Sequence, residues 1–159
     1  MRVGWGIDVH RFGGPGPTLL AGVVVDADRG VEGTSDADVL AHAVGDALLG
    51  AAALGDLGTH FATSDPQWEG ADSMVLLRRI VELIGGAGFR VSSIDATVIA
   101  QRVRVSPHRE AIRERLAEAV GTEVAAVSVK ATTTDGLGML GRDEGLAALA
   151  VAVLESIRG

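Results

Sequence analysis

Apolar residues along the chain cluster in runs that predict four strands and three helices before the final segment. Short apolar runs that end at Gly, Pro or Asp are typical of strands, and longer Ala- and Leu-rich runs after Ser or Asp are typical of helices. The predicted strands are residues 1–8, 19–25, 91–101 and 124–131, and the predicted helices are residues 38–54, 72–83 and 108–120.

Loops and one ambiguous segment complete this pattern. Residues 13–17 contain only Gly and Pro and predict a loop, and a turn is predicted at residues 26–30. Ser35 and Asp36 are the candidate N-caps of the helix predicted at residues 38–54. Residues 146–157 fit either a buried strand or a helix, because alanine obscures the apolar period.

Length and composition indicate one globular unit. A chain of 159 residues with 47% apolar residues is long enough to bury a core, and it fits a single domain over residues 1–159. The apolar residues are mostly Ala, Val and Leu, which favours close packing of helices on a sheet. The sequence contains no Cys, so disulfides and thiolate metal sites are excluded.

Charge and hydropathy exclude several classes of partner. The formal net charge of −7 argues against a nucleic acid or an anionic membrane, since both attract a basic face. A phosphorylated substrate would then need metal ions, local cations or aimed backbone N–H groups. No secretory signal is visible, and the longest apolar run, residues 146–154, is shorter than the roughly 20 residues of a membrane span. A cytoplasmic protein is therefore expected.

The first candidate chemistry lies at the end of the first predicted strand. Residues two apart on a strand share a face, so Asp8 and His10 point the same way, and Gly4 and Gly6 leave room on that face. A carboxylate beside an imidazole offers two ligands for a metal such as zinc. The alternative is a strand end with two polar residues in water.

The helix predicted at residues 38–54 adds a third candidate ligand. Asp38, His42 and Asp46 are four residues apart and share one stripe of an otherwise apolar helix. The stripe is either a solvent-facing side or a functional one. Together, Asp8, His10 and His42 would supply three protein ligands and leave a fourth position open, as in a catalytic zinc site. His60 and His108 lack such neighbours and are interpreted as surface or capping residues.

A second polar stretch follows the strand predicted at residues 124–131. Three threonines at 132–134 precede Asp135, Gly136 and Gly138. Hydroxyls and backbone N–H groups in such a loop can receive phosphate oxygens, and Asp135 could hold Mg²⁺ or Mn²⁺. An ordinary polar loop is the alternative. The sequence contains neither a P-loop nor a dinucleotide-binding glycine pattern.

These stretches, taken together and in this order, resemble one enzyme family, the 2-C-methyl-D-erythritol 2,4-cyclodiphosphate synthases of the non-mevalonate isoprenoid pathway. The match runs nearly end to end. It is carried by Asp8-Val9-His10, by Ser35-Asp36-Ala37-Asp38 with His42, by the run from Asp46 to Gly58, and by the run from Lys130 to Asp135 followed by Gly141-Arg142 and Glu144-Gly145.

The resemblance implies an α/β (α+β) sandwich, in which helices cover one face of a mixed β-sheet. It implies a homotrimer around an inner sheet wall, with active sites between subunits, and a final segment that is a strand. The implied enzyme is a phosphorus–oxygen lyase. It converts the small-molecule cytidine diphosphate substrate 4-diphosphocytidyl-2-C-methyl-D-erythritol 2-phosphate into the 2,4-cyclodiphosphate and CMP, by attack of the 2-phosphate on the β-phosphate.

The resemblance also implies roles for individual residues. Asp8, His10 and His42 match zinc ligands, and Asp135 matches the residue that binds a second divalent cation, Mg²⁺ or Mn²⁺. Thr133 and the residue at position 34, here Thr34, match groups that act at the transition state. The methylerythritol phosphate side would include Ser35, Asp56, Leu57, Gly58, Phe61, Ala62, Thr63, Ser64 and Asp65. The cytidine side and its surroundings would include Ala100, Gln101, Arg102, Val103, Arg104, Val105, Ser106, Thr132, Thr134, Met139 and Arg142. Arg142 and Glu144 match residues that line the trimer axis, where an isoprenoid diphosphate can bind.

The chain departs from the family pattern at four places. The family usually has His where this chain has Thr34, and Glu where it has Asp135. It usually has Gln-x-Pro-Lys at residues 101–104, which here keep a positive charge in Arg104 but lack the proline. Residues 62–63 are Ala-Thr in place of Pro and a polar or acidic residue. Two alternatives therefore stay open: a diverged metal-dependent phosphate or cytidine-nucleotide enzyme, and a trimer that only binds isoprenoid diphosphates.

Overall fold

The structure, a computed structural model, describes residues 1–62 and 64–157 as seven strands, five α-helices and three short 3₁₀ turns. The strands are β1 Arg2–Gly14, β2 Thr18–Leu20, β3 Val23–Asp26, β4 Gly30–Val31, β5 Phe89–Ile99, β6 Val127–Thr132 and β7 Gly145–Ser156. The helices are α1 Val39–Ala52, α2 Leu57–His60, α3 Ser73–Gly86, α4 Arg109–Val120 and α5 Gly138–Gly141.

Five strands form a mixed sheet in the order β4-β1-β7-β5-β6. Among the described strands, only β5 and β6 pair in parallel, whereas β1 and β5 both pair antiparallel with the central strand β7. Strands β2 and β3 form a separate hairpin. The helices α1, α3 and α4 pack against the sheet, and α1 crosses β1 and β7. The predicted α+β sandwich, with a mixed sheet and helices on one face, is confirmed.

Helix α1 lies unusually close to β1 because two glycines face it. A Cβ atom on Gly4 would lie 2.2 Å from the carbonyl oxygen of Ala47, and one on Gly6 would lie 2.2 Å from that of Ala43. The space predicted beside Asp8 and His10 is therefore filled by helix backbone. This close packing, together with the alanines of α1, explains a core built from small aliphatic side chains.

Strand β1 extends beyond the strand predicted at residues 1–8, and the prediction of one continuous strand at residues 19–25 is wrong. β1 continues to Gly14 because its backbone pairs with β7 as far as Arg11 and then with β4. Residues 19–25 are split into β2 and β3 by a turn at Ala21 and Gly22, whose φ angles are +50° and +71°. The buried Asp38 carboxylate accepts a hydrogen bond from the Gly22 N–H at 2.7 Å and stabilises this turn.

The N-cap of α1 also differs from the prediction. It is Asp38, whose carboxylate accepts from the Ala41 N–H at 3.0 Å, and not Ser35 or Asp36. The ambiguous final segment is strand β7, which is paired on both sides. Its alanines fit a central strand that lies beneath a helix, but they would also fit a helix. The apolar period alone therefore could not distinguish a strand from a helix here.

The face of the sheet opposite the helices is apolar and exposed in the single chain. Val3, Trp5, Ile7 and Val9 alternate along β1 on this face, and Trp5 is 68% exposed. Val151 continues the face on β7, opposite Trp5. Within residues 1–62 and 64–157, no helix has both the length and the apolar character needed to span a bilayer.

Candidate metal centre and substrate pockets

Three polar side chains converge between β1 and α1. The Nε2 atom of His10 lies 2.9 Å from the Oδ2 atom of Asp8, and the Nδ1 atom of His42 lies 3.0 Å from the same oxygen. The two imidazole nitrogens are 3.5 Å apart. All three side chains are largely buried, and their potential ligand atoms lie within 4.8 Å of one another.

Regular secondary structure explains this convergence. Asp8 and His10 lie two residues apart on the face of β1 that packs against α1, and His42 lies in the first turn of that helix. The close approach permitted by Gly4 and Gly6 brings the helix within reach of the strand. The prediction that these three residues could form a metal site is confirmed as an arrangement of ligand atoms.

The outer nitrogen of each imidazole is also engaged. The Nδ1–H of His10 donates to the carbonyl oxygen of Glu32 at 2.6 Å, so its Nε2 lone pair faces the cluster. The Nε2 atom of His42 lies 2.9 Å from the Ser73 hydroxyl and 3.1 Å from that of Ser35. The sequence did not identify Glu32 or Ser73, because one contributes a backbone carbonyl and both are distant in sequence from their partners.

The pKa values of Asp8 and His10 are shifted by their neighbours in the cluster. Burial opposes ionisation of Asp8, but hydrogen bonds from His10 and His42 outweigh it, so the pKa of Asp8 is lowered. The hydrogen bond that protonated His10 donates to the Asp8 carboxylate raises the pKa of His10, although burial acts in the opposite direction. An anionic carboxylate thus attracts positive charge to this point. One carboxylate oxygen and two imidazole nitrogens, each imidazole held from behind, fit the donor set of zinc with an open fourth position.

The cluster opens into a cavity of about 290 Å³. Thr34 and Ser35 form part of its polar side, and Leu57, Phe61 and Trp68 form an apolar wall. Phe61 and Trp68 pack edge to face with ring centroids 5.0 Å apart, which stabilises that wall. The cavity can therefore hold a molecule that has both a polar and an apolar part.

A second cavity lies at the ends of β5 and β6, which are separated by β7 from the strand that carries Asp8 and His10. It is lined by residues 100–107 and 131–133, which include every predicted residue from Ala100 to Ser106. Arg102, Arg104 and Ser106 have exposed side chains, whereas the side chains of Val103 and Val105 are buried. Polar contacts at the two valines would therefore come from their backbone.

The threonine loop, residues 132–135, borders this second cavity and is exposed at Thr132, Thr133 and Asp135. Its side chains are engaged within the loop. The Thr133 hydroxyl donates to the Asp135 carboxylate at 3.2 Å, and the Thr134 hydroxyl donates to the Leu137 carbonyl at 2.7 Å. Gln101 accepts from the Gly136 N–H at 3.4 Å, which links this loop to the loop after β5.

The chain matches the profile of the YgbB family over residues 1–155. It belongs to the YgbB family. A family relative from Salinibacter ruber, named 2-C-methyl-D-erythritol 2,4-cyclodiphosphate synthase, is 53% identical over 156 residues, which cover 98% of this chain and 99% of the relative. A relative of the same name from Thioalkalivibrio sulfidiphilus is also 53% identical and is covered to 98% of its length. The resemblance inferred from the motifs is confirmed.

Solved structures agree with this assignment to the YgbB family. The bifunctional IspDF of Campylobacter jejuni superposes with a TM-score of 0.94 at 39% identity, over 98% of this chain and 42% of that longer chain. The structure of IspF from Plasmodium falciparum in complex with CDP gives a TM-score of 0.85 at 27% identity, over 98% of this chain and 96% of that one.

The remaining polar positions predicted on α1, Asp38 and Asp46, do not form the exposed stripe that the alternative interpretation required, since Asp38 is buried and Asp46 is half-buried. Asp38 is fully buried and caps the helix, and burial raises its pKa. Asp46 accepts from the Leu57 N–H at 2.8 Å, and burial raises its pKa too. Asp46 thereby holds the start of α2, where Asp56 accepts from the Thr59 N–H and is the N-cap.

The other predicted positions lie around these cavities. Leu57 and Gly58 line the metal cavity, and Ser64 and Asp65 line a neighbouring recess that also includes Thr34. Met139 and Glu144 line another recess beside His10, and Arg142 pairs with Glu144 at 2.6 Å. Ala62 is exposed, and Thr63 lies outside the described residues. Trp68 and Leu76 complete the apolar wall and were not predicted; aromatic and aliphatic residues of this kind are indistinguishable from core residues in the sequence.

Proposed function

We propose that the protein is a 2-C-methyl-D-erythritol 2,4-cyclodiphosphate synthase of the non-mevalonate pathway, which acts on 4-diphosphocytidyl-2-C-methyl-D-erythritol 2-phosphate. The convergence of Asp8, His10 and His42 on the wall of the 290 Å³ cavity carries this proposal. Relatives of that name, 53% identical over nearly the whole chain, support it.

The proposed reaction is an intramolecular phosphoryl transfer. An oxygen of the 2-phosphate forms a bond to the β-phosphorus, and the bond from that phosphorus to the oxygen bridging to the α-phosphate breaks, so CMP leaves with the electron pair. No water is consumed, which makes the enzyme a phosphorus–oxygen lyase. Such a step needs two phosphates held in line and their charge offset, and it needs little acid–base assistance.

Asp8, His10 and His42 would hold the zinc ion. When bound there, zinc supplies a Lewis acid that polarises a phosphate oxygen. Thr34 and Ser35, on the wall beside the ligands, would orient the transferred phosphate. Leu57, Gly58 and Phe61, also on the cavity wall, would contact the methylerythritol part and limit access of water.

Asp135 would hold a second divalent cation, Mg²⁺ or Mn²⁺. Its exposed carboxylate is a suitable oxygen ligand, and Mg²⁺ is commonly bound by one or two carboxylates together with substrate phosphates. Thr133 contacts this carboxylate and would be released toward the phosphates when the cation occupies it. The nucleotide would lie in the cavity formed by residues 100–107 and 131–133, and CDP binding by the Plasmodium falciparum relative supports a cytidine nucleotide there.

The protein would act as a homotrimer with active sites between subunits. Val3, Trp5, Ile7 and Val9 present an apolar sheet face that a second and a third copy would cover. The metal cavity and the nucleotide cavity lie on different strands of one chain, separated by β7. Contact between copies would let the nucleotide cavity of one chain complete the metal cavity of its neighbour.

Substitution of Trp5 tests the trimer. Trp5→Lys places a charge in the apolar face, so we expect monomers by analytical ultracentrifugation and a loss of turnover of at least about 10-fold, with zinc still bound. Val24→Lys is the control, because Val24 is also exposed but lies on the separate hairpin, and it should leave the trimer intact. A trimeric, fully active Trp5→Lys protein would contradict the proposed interface.

Three further predictions stay proposals. Arg142 and Glu144 would line the trimer axis, where Arg142 could meet an isoprenoid diphosphate after exchanging its partner Glu144 for the phosphate. We also propose that the chain forms a single domain, which the continuous sheet supports. A cytoplasmic location, expected from the sequence, is proposed as well.

The test of function is release of CMP by purified protein with zinc and Mg²⁺. We expect stoichiometric CMP and cyclic diphosphate, identified by ³¹P NMR. Zinc binding without turnover would overturn the proposed activity and favour a diverged enzyme for another cytidine or phosphate substrate, as the altered loop at residues 101–104 would permit. Binding of an isoprenoid diphosphate without any turnover would instead favour a binding protein.

A further inference from the structure

A chain of hydrogen bonds connects His42 to a carboxylate outside the ligand set. The Ser73 hydroxyl lies 2.9 Å from the His42 Nε2 atom and also contacts the Oδ1 atom of Asp36. The other carboxylate oxygen of Asp36 accepts from the Ser73 backbone N–H at 2.9 Å. Ser73 is only 1% exposed, so water does not compete for its hydroxyl.

The donors and acceptors in this chain can be ordered only one way while Asp36 is ionised. A carboxylate accepts and does not donate, so the single hydroxyl proton of Ser73 points to Asp36. The Ser73 oxygen then accepts, and its partner must be an Nε2–H group of His42. With the proton on Nε2, the Nδ1 lone pair of His42 points toward Asp8 and His10.

The tautomer of His42 that Ser73 favours is the opposite of the one that Asp8 favours. Asp8 lies 3.0 Å from the Nδ1 atom of His42 and would by itself draw a proton onto that nitrogen, which would prevent it from binding a metal. The Asp36–Ser73 pair favours the other tautomer. For His10 the same task is performed by the Glu32 carbonyl, which is a fixed acceptor.

We propose that Asp36 and Ser73 are positioning residues of the metal centre, which hold His42 in the tautomer and ring orientation that bind a divalent cation through Nδ1. The proposal rests on the metal site proposed above but not on the proposed reaction. Loss of such outer partners typically weakens metal binding about 10- to 100-fold. Asp36 has a second task, since its N–H donates to the Ala71 carbonyl and ties the loop before α1 to the start of α3.

Ser35 is the competing partner of His42. Its hydroxyl lies slightly farther from Nε2, at 3.1 Å, and it also accepts from the Ala37 N–H at 3.2 Å. The relative losses of metal affinity on substitution therefore show whether Ser73 or Ser35 is the main partner of His42. Ser73→Ala and Asp36→Asn should each weaken binding by about 10-fold or more, and Ser35→Ala should weaken it less. In Asp36→Asn, an amide N–H facing Ser73 would reverse the hydroxyl and favour the wrong tautomer.

The experiment is a competition titration of metal-free protein with Zn²⁺ and a chelator, together with proton NMR of the zinc-loaded protein. We expect the His42 Nε2 proton of the unaltered protein to resonate downfield and exchange slowly, and Ser73→Ala to lose both properties. Asp72→Ala is the matched control: it removes the N-cap of α3, where Asp72 accepts from the Met74 N–H at 2.8 Å, but leaves the chain to His42 intact. It should lower thermal stability and leave zinc affinity and the proton signal unchanged.

Three results would overturn the proposal. Zinc affinity of Ser73→Ala and Asp36→Asn equal to that of the unaltered protein would remove their positioning role. A loss in Asp72→Ala as large as in Ser73→Ala would show that only the stability of α3 matters. Absence of zinc binding by the unaltered protein would overturn the metal site and this inference with it, whereas failure of the CMP assay alone would leave both standing.

Discussion

The metal cluster lies between strand β1 and helix α1, whereas the threonine loop lies at the end of β6, and the two differ in how completely a single chain builds them. In the metal cluster, Asp8, His10 and His42 are largely buried, and the outer nitrogen of each imidazole has a partner. In the threonine loop, Thr133 and Asp135 are exposed and contact mainly each other. The first region is preorganised, whereas the second would be ordered by a ligand.

The difference follows from the elements that carry the residues. A strand and a helix packed at a distance set by Gly4 and Gly6 fix three side chains without help from a ligand. The threonine loop follows the edge strand β6, and Asp135 has a left-handed backbone with φ of +52°. Its hydroxyls are free to exchange internal partners for phosphate oxygens. We therefore expect substitutions in the metal cluster to affect zinc binding first, and those in the loop to affect turnover and its Mg²⁺ dependence without loss of zinc.

The largest effect is expected for His42→Ala. Removal of one of three ligands should eliminate most bound zinc and lower turnover by about 100-fold or more, while the trimer stays assembled. Metal analysis, the CMP assay and ultracentrifugation measure these outcomes. His108→Ala is the control. His108 does not line the metal cavity or the second cavity, so this substitution should change neither zinc content, turnover nor assembly. A zinc-replete and fully active His42→Ala protein would refute the ligand assignment.

A smaller effect on the same region is expected for Gly6→Ala. The added Cβ would lie 2.2 Å from the Ala43 carbonyl oxygen, so α1 must move away from β1 at a cost of about 1–3 kcal/mol. That movement separates His42 from Asp8, and zinc affinity should fall together with the free energy of unfolding. Denaturant titration and zinc titration measure the two changes.

Gly50→Ala is the matched control for this substitution. Gly50 lies on α1, but a Cβ atom there meets no heavy atom outside its own helix within 4 Å. Because alanine favours helix, the variant should gain about 0.5–1 kcal/mol in stability and keep its zinc affinity. Equal losses in both variants would show that the close approach of helix and strand does not hold the cluster.

Sequence periodicity predicted the three side chains that converge, but not the groups that hold them in place. Two-residue spacing on a strand placed Asp8 and His10 on one face, and the apolar surroundings of His42 marked it as unusual. Ser73 and the Glu32 carbonyl carry no such signal, because their contacts with His42 and His10 arise only when separate elements pack. Thr63 was also predicted as a contact and lies outside the described residues.

The fold shows the same division between local and tertiary information. The runs of apolar residues identified α1, α3, α4, β5 and β6 with small errors at their ends. The turn that splits residues 19–25 is held by the buried Asp38 carboxylate, and Ala21 at φ of +50° is a residue that does not signal a turn. β7 was ambiguous because alanine obscures the apolar period, and its position at the centre of the sheet beneath α1 is a tertiary property.

Asp135→Ala tests the threonine loop and should have a moderate effect. Loss of the carboxylate should lower turnover by about 10-fold at saturating Mg²⁺ and raise the Mg²⁺ concentration required, because the second cation loses its protein ligand. Zinc content should stay unchanged, in contrast to His42→Ala. Asp135→Glu keeps the carboxylate and should retain most of the activity. Loss of zinc from Asp135→Ala would contradict the separation of the two regions.

The smallest effect is expected for Thr34→His. Residue 34 lies where a bound substrate would connect the metal cluster with the threonine loop. Thr34 is exposed and lines both the metal cavity and the neighbouring recess with Ser64 and Asp65. An imidazole at this position reaches farther than a hydroxyl and can donate to a phosphate oxygen, so we expect turnover to rise a few-fold with zinc affinity unchanged. Thr34→Val keeps the shape but removes the hydroxyl, and it should lower turnover if that hydroxyl already contributes. Equal rates for threonine, valine and histidine would show that residue 34 takes no part in the reaction and that the cluster and the loop suffice.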